Sequence, residues 1–261
     1  PYNQYVKRFR VLQTVKGRRE QGVFLAEGGR LIGEALDAGW PILAAAVCTD
    51  LLGPGAKAIA ERLRSGDWPC YEMSPRAFSA LSAEKTPSGV AIAAICATRE
   101  MAELRPGPSH LVVAAWELRD PGNLGTLVRT AEFLGALALV AVGDCVDFFD
   151  PKTVRATAGA IFRLPLAKVS PEGFWRWTES EKVSVLAGVS DGGVTPESLD
   201  LCGPVTFLVG SEAHGLPLEA EQRAQGLVTI PRRGKVESLN AAIAAGICLY
   251  EITRQLDKQH T

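Results

Sequence analysis

The run Ile230-Pro231-Arg232-Arg233-Gly234-Lys235-Val236-Glu237-Ser238-Leu239-Asn240-Ala241-Ala242 is the most heavily functionalised stretch of this chain. It places cations, a carboxylate, a hydroxyl and an amide between a short apolar run and an alanine-rich helical pattern. Residues 227–230 read as a strand and 238–256 as a helix. Ser238 is placed to cap that helix, with Asn240 just inside it, where asparagine is a mediocre helix former. Leu239, Ile243, Gly246, Ile247 and Tyr250 fall near one face of the same helix. Gly246 and the alanines let another helix come close, as core packing requires.

Two upstream strand ends are built the same way. Leu118-Arg119-Asp120-Pro121-Gly122-Asn123 leads into a helix expected over 124–134, with Asn123 as its N-cap after the Pro-Gly turn. Leu124, Leu127, Val128, Ala131 and Leu134 form an apolar stripe, and Arg129 falls roughly opposite it at about 100° per residue. An arginine there can reach an anionic ligand; a solvated cation is the plain alternative. Further on, Val205-Thr206-Phe207-Leu208-Val209 runs into Gly210-Ser211-Glu212-Ala213-His214-Gly215. The glycines let the backbone approach a ligand closely, and Glu212 stands at the strand end. The Gly-x-Gly core of the dinucleotide fingerprint is absent, and so is a P-loop.

Around these loops the chain alternates between strands and helices. Strands are expected at 110–116, 136–142, 183–189, 205–210 and 227–230, and helices at 124–134, 151–159, 217–225 and 238–256. That alternation predicts an α/β fold: a mostly parallel sheet with helices on both faces and ligands at the carboxyl ends of its strands. Residues 99–109 lose the pattern and contain Pro106-Gly107-Pro108, so the chain is divided there. The division gives a small α/β domain at 1–98, a linker at 99–109 and a larger domain at 110–261. Within 1–98, helices are expected over 30–38, stopped by Gly39, and over 56–64, with strands at 42–47 and 89–97.

Composition narrows the function. A formal net charge of −1 gives no global sign of nucleic-acid binding. Locally, Lys7, Arg8, Arg10, Lys16, Arg18 and Arg19 follow one another with no acid between them, a pattern able to contact phosphates. The 6 cysteines lack CxxC spacing and the 3 histidines lack metal-ligand spacing, which favours reduced thiols in a cytoplasmic protein and no metal. No apolar run reaches membrane-spanning length, and the polar, basic start is unlike a signal peptide.

Taken together, the three loops resemble the SpoU/TrmH family of RNA 2′-O-ribose methyltransferases. Asn123, Gly125 and Arg129 match its Asn-x-Gly-x-x-x-Arg motif, and Gly210, Glu212 and Gly215 match Gly-x-Glu-x-x-Gly. Ile230, Pro231, Ser238, Leu239 and Asn240 match the third motif, in the right order and spacing. Thr153 to Leu166 is similar to the segment between the first two motifs, and Val23-Phe24-Leu25-Ala26-Glu27-Gly28 to the substrate-binding domain many members carry.

The resemblance implies a trefoil knot at the end of the catalytic domain and a homodimer with active sites near the subunit interface. It implies S-adenosyl-L-methionine as cofactor, held around Gly210, Ile230, Leu239, Leu208, Glu212 and Gly215. Arg129, Asn123, Glu212, Ser238 and Asn240 become the expected catalytic set. Glu212 is expected to orient Arg129 or a neighbouring loop. Lys7, Arg8, Arg10, Arg18, Arg232, Arg233 and Lys235 become the expected RNA contacts, with Arg155 and Arg163 as weaker ones. The implied substrate is RNA, with 23S-type rRNA ahead of tRNA; a catalytically inactive RNA-binding relative is the remaining alternative.

Overall fold

The computed structural model describes residues 4–201 and 203–258; Cys202 lies outside the described residues. The chain forms two compact units. The first runs to Ala97 and also takes in Asp147–Arg163, while the second takes Thr98–Val146 and continues from Leu164.

The first unit opens with α1 (Gln4–Val11) and α2 (Val15–Gln21). In α1, Val6 and Phe9 are buried while Lys7, Arg8 and Arg10 are exposed, so an apolar pair three residues apart sets its inward face. Thr14 caps α2 by accepting the Gly17 N–H at 3.0 Å, and Gly22 ends it at φ +63°. There follow β1 (Val23–Glu27), α3 (Gly29–Asp37), β2 (Ile42–Val47), α4 (Lys57–Arg64), β3 (Cys70–Glu72), α5 (Pro75–Leu81) and β4 (Val90–Ile95). The sheet order is β1-β4-β2-β3, with β4 antiparallel to both neighbours and β2 parallel to β3. Phe9, Leu12, Leu25, Phe78 and Leu81 fill one side of it. Burying each such side chain contributes roughly 1.5–3 kcal/mol.

The second unit is a six-stranded sheet, all parallel, in the order β10-β8-β9-β5-β6-β7. Its elements are β5 (Leu111–Trp116), α6 (Pro121–Phe133), β6 (Ala138–Val142), α7 (Pro151–Ala156), β7 (Leu166–Val169), α8 (Pro171–Ser180), β8 (Ser184–Gly188), β9 (Val205–Val209), α9 (Leu218–Arg223), β10 (Gly226–Val228) and α10 (Ala241–Lys258). Of these, α7 belongs to the excursion that packs in the first unit. Strands β5, β6 and β9 are buried along their whole length, which is why they appear as unbroken apolar runs. On one face Val112, Ala114 and Trp116 meet Phe174 and Trp175 of α8 and Ala220 of α9. The pleat turns Leu111, Val113 and Ala115 to the other face, where α6 contacts β6 and α10 contacts β8, β9 and α6. The α/β architecture with a parallel sheet and helices on both faces is therefore observed.

Two boundaries differ from the sequence division. Residues 147–163, assigned from sequence to the larger domain, pack into the first unit because Arg18 there is ion-paired to Asp147 at 2.9 Å and Asp150 at 3.5 Å. Phe24 also packs against Phe149 at a tilt and stacks with Phe162, and Trp40 meets Phe162 edge-on. The 99–109 segment is no free linker: the Arg99 N–H donates to Leu166 O at 2.7 Å and Leu104 is buried in the second unit's core. Two elements without a sequence expectation, β7 and α8, complete the sheet edge and its cover.

Candidate active site

The carboxyl ends of three parallel strands, the central β5 and β9 and the edge strand β10, carry the three singled-out loops, as the α/β rule predicts. The helix starts differ from expectation in an informative way. α6 begins at Pro121, and its cap is Asp120, whose Oδ1 accepts the Asn123 N–H at 2.8 Å. Asp-Pro is itself a helix-start signature, with an Asx cap followed by proline at the first position. Asn123 therefore sits inside the first turn, and its side chain is free for tertiary contacts. α10 begins at Ala241, and Asn240 rather than Ser238 is its cap, accepting from Ala242 N–H at 3.0 Å and Ile243 N–H at 3.2 Å. Ser238 is exposed.

These caps join into one chain of hydrogen bonds. Asn240 Nδ2 donates to Asn123 Oδ1 at 2.8 Å, and Asn123 Nδ2 donates to Glu212 Oε1 at 2.7 Å. Glu212 also accepts from the Asp120 N–H at 3.3 Å and the Arg119 N–H at 3.4 Å. Amide donors at the start of α10 thus connect, through two asparagines, to a carboxylate at the end of β9. Such aligned bonds polarise one another, so the carboxylate end strengthens the cap end. The network fixes the loops after β5, β9 and β10 against one another. One N–H on each asparagine amide and one lone pair on Asn123 Oδ1 stay available to a ligand, while Asn240 Oδ1 is fully used by its two capping bonds.

The β9 loop is held by a tight Ser211–Gly215 turn, in which each residue's N–H donates to the other's carbonyl, at 3.0 and 2.9 Å. Gly215 has φ +67°, and a Cβ at Gly210 would stand 2.3 Å from the Gly215 carbonyl carbon. Only glycine fits at 210, because the space a side chain would take is filled by the Gly215–Leu216 backbone. Ile230 is half-buried and Leu239 is exposed, so both present apolar surface beside this loop set. Leu208 does not: it is fully buried in the sheet core, and its side chain is committed there.

A fourth loop was not singled out in the sequence. Residues 189–195 follow β8 and pack on β10: the Gly193 N–H donates to Thr229 Oγ1 at 2.9 Å, and a Cβ at Gly193 would lie 2.7 Å from the Leu227 backbone. Its signal was Asp191-Gly192-Gly193 at a strand's carboxyl end. Arg119 was passed over too; its guanidinium pairs with Asp144 at 2.7 Å on the rim of the same edge.

Arg129 is exposed on α6 and makes no hydrogen bond or ion pair with any described residue. It stands six residues past Asn123, about 9 Å along the helix and roughly 240° around it. Glu212 therefore orients the neighbouring loop, through Asn123 and two backbone N–H groups, rather than Arg129. Phe133, one turn further on the Arg129 face, is 83 % exposed. Ile243, Ile247 and Tyr250 of α10 are exposed as well.

The expected RNA contacts divide. Lys7, Arg8, Arg10, Arg232, Arg233 and Lys235 are exposed. Arg18 is not a surface cation: its side chain is 1 % exposed, salt-bridged to Asp147 and Asp150, and donates to Leu12 O and Gln13 O at 3.1 Å each. Charge order in the sequence could not separate this arginine from its neighbours; helical phase and the acids at 147 and 150 do. Arg155 and Arg163 are tied to Glu84 and Glu34 within the first unit. Among the described residues no cluster of His, Cys, Asp and Glu is arranged to hold a metal ion.

The fold and loops define an α/β protein with a ligand site built from strand-end loops and an accessory α/β unit before it. Comparison with known proteins makes this specific. The model of the SpoU rRNA Methylase family matches residues 110–250, and that of the MRM3-like substrate binding domain matches residues 3–92. The chain belongs to the SpoU rRNA methylase family. It is 30% identical over 250 residues to the Bacillus subtilis 23S rRNA (guanosine(2553)-2′-O)-methyltransferase RlmP, covering 96% of each chain. It is 32% identical over 264 residues to a Streptomyces viridochromogenes 23S rRNA (uridine(2479)-2′-O)-methyltransferase, covering 95% of this chain and 90% of that one. The AdoMet-bound rRNA methyltransferase of Sinorhizobium meliloti superposes with a TM-score of 0.88 at 35% identity, over 97% of this chain and 95% of that one.

Proposed function

We propose that this chain transfers the methyl group of S-adenosyl-L-methionine to a ribose 2′-hydroxyl of RNA, with 23S-type ribosomal RNA as substrate. The observation that carries the reading is the Glu212–Asn123–Asn240 chain, which locks three strand-end loops into one site. The named activities of the full-length relatives support the substrate class.

The residues fit the cofactor. Glycine at 210 lets the β9 loop close tightly on Gly215, which fixes the loop, and the apolar side chains of Ile230 and Leu239 stand ready to flank an adenine. S-adenosyl-L-methionine, when bound, supplies an electrophilic methyl group. Everything else falls to the chain. The guanidinium of Arg129 is effectively always protonated, so it serves as an electrostatic group. It binds a target phosphate and stabilises negative charge developing on the 2′-oxygen as the hydroxyl proton passes to solvent water. Asn123 and Asn240 position the ribose with their remaining amide groups, and Glu212 keeps both in register. Gly215 shapes the loop that holds Glu212, and Ser238 lies on the substrate side of the last loop. Lys7, Arg8, Arg10, Arg232, Arg233 and Lys235 track the RNA backbone.

The protein acts as a homodimer. The exposed apolar side chains of Phe133 on α6 and of Ile243, Ile247 and Tyr250 on α10 support this, since these two helices pack together and the side chains need cover. The interface then lies beside Arg129. The trefoil knot of the family places the last loops, and a ribosomal substrate places the chain in the cytoplasm. In domain terms, 1–98 serves RNA binding and 110–261 catalysis, with the 147–163 excursion contributed to the first unit.

The test is tritium transfer from labelled S-adenosyl-L-methionine to total RNA from cells lacking the gene. Label in the large rRNA is expected, with none for Arg129→Ala and a loss of about 10²-fold for Arg129→Lys. Label confined to tRNA overturns the substrate; cofactor binding with no label in any fraction favours an inactive RNA-binding protein.

A further inference from the structure

Asn123 has an arginine on each side in sequence: Arg129 six residues after it and Arg119 four residues before it. The Arg119 backbone N–H donates to Glu212 Oε2 at 3.4 Å, which ties this residue to the site's hydrogen-bond chain. Its guanidinium reaches to the end of the neighbouring strand β6, where Nη1 donates to Asp144 Oδ2 at 2.7 Å. In the order β10-β8-β9-β5-β6 that is the side away from the 232–235 cations. Arg119 and Asp144 are 61 % and 77 % exposed, and neither side chain has another polar partner among the described residues. An exposed pair of this kind adds little to stability and exchanges readily for another acceptor. The edge around it is acidic. Of residues 117–120 and 143–146, which follow β5 and β6, Arg119 is the one cation, against Glu117, Asp120 and Asp144. Glu117, held at φ +49°, lies over Gly143, where a Cβ would stand 3.2 Å from its Oε1.

We propose that Arg119 grips an RNA phosphate beside the target ribose, and that Asp144 competes with that phosphate for the same guanidinium. The inference rests on the RNA reading above and adds a substrate-positioning residue to the same site. An internal ribose carries a phosphate on each side, and Arg129 takes one of them. The other needs a cation on an edge that is otherwise acidic. Arg119 supplies it about one strand spacing (~4.8 Å) from β5 toward β6. Its planar fork fits two phosphate oxygens as well as it fits a carboxylate. Asp144 holds the fork while the site is empty. When RNA enters, the arginine changes partner and the bare carboxylate faces the phosphate, so Asp144 weakens binding.

Arg119→Ala, Asp144→Asn and the double variant test this by filter binding and methyl transfer on in-vitro transcribed 23S rRNA. Both side chains are exposed and the residue 119 N–H is kept, so wild-type melting temperatures are expected. Arg119→Ala should raise Kd and KM about fivefold (~1 kcal/mol), with kcat at saturating RNA unchanged. It should also lower the slope of log K against log salt by about 0.7. Asp144→Asn should act in the opposite direction and lower Kd about threefold (~0.6 kcal/mol). That gain should shrink in the Arg119→Ala background, where no arginine is left to release. Wild-type Kd and salt slope in Arg119→Ala overturn the assignment. So do single variants that both weaken binding, as a structural pair would, or an equal gain from Asp144→Asn in both backgrounds. A wild-type chain that does not bind the transcript refutes the ribosomal reading, and this assignment with it.

Discussion

Replacing Arg18 by methionine separates a structural arginine from an RNA contact. The side chain is 1 % exposed, with Asp147 at 2.9 Å, Asp150 at 3.5 Å and two carbonyl acceptors. Methionine fills the aliphatic volume but leaves both carboxylates and both carbonyls without their cation. Removing one partner of a buried ion pair costs about 3–5 kcal/mol. The carboxylates keep other partners, because the Phe149 N–H donates to Asp147 Oδ1 at 3.2 Å and the Lys152 N–H to Asp150 Oδ1 at 2.9 Å. The lower end, about 3 kcal/mol, is therefore expected. At about 4 °C per kcal/mol for a unit of this size, melting of the first unit drops by about 12 °C. Circular-dichroism melts give that shift, and filter binding at several salt concentrations below the transition gives the RNA slope, expected unchanged. A melting loss under about 2 °C, or a reduced salt slope in the fully folded variant, would refute the buried-lock assignment and return Arg18 to the RNA surface.

Gly210→Ala forces a Cβ to within 2.3 Å of the Gly215 carbonyl carbon, so the loop must shift; calorimetry should show S-adenosyl-L-methionine binding at least tenfold weaker (~1.4 kcal/mol), and unchanged affinity counts against the cradle. Asn240→Ala loses the α10 cap and about 1 kcal/mol. Asn240→Asp keeps the capping oxygen but sets a carboxylate against Asn123 Oδ1, so it should melt near wild type yet turn over at least ten times more slowly (~1.4 kcal/mol); equal activity breaks the relay argument. Burial pushes the Glu27 carboxyl above its usual range, against the lowering effect of bonds from Ala83 N–H and Ser82 and of the Arg155 charge. Its folded form holds the proton more tightly, so its contribution to stability is full below the ordinary carboxylate range and is lost as pH rises through the raised value. Glu27→Gln should remove that decline in urea midpoint between pH 4 and pH 8; an identical pH profile contradicts it.

Much of the sheet was legible because its strands are buried on both faces. Val205-Thr206-Phe207-Leu208-Val209 and the run at 136–142 appear as apolar runs and fold as β9 and β6. β7 escaped notice because it is four residues long with an exposed lysine, Lys168. α8 had a legible start at Ser170-Pro171, where Ser170 Oγ accepts the Gly173 N–H at 3.1 Å, but two tryptophans and a glycine blur its periodicity. The site residues were legible as types and spacing. Their partners were not: nothing local says that Asn123 bonds Asn240, 117 positions away. Nor does local charge say that Arg18 meets Asp147, 129 positions away, which is also why the 147–163 excursion could not be read.

The most direct test of ribose 2′-O chemistry is the alkali stability of the product. Labelled 23S rRNA from the transfer reaction is hydrolysed completely in base and the fragments are separated by size and mass. A methylated 2′-oxygen cannot attack its neighbouring phosphate, so the label should emerge in a single alkali-stable dinucleotide, absent with Arg129→Ala. Label in mononucleotides would place the methyl group on a base and contradict the reaction assigned to this site.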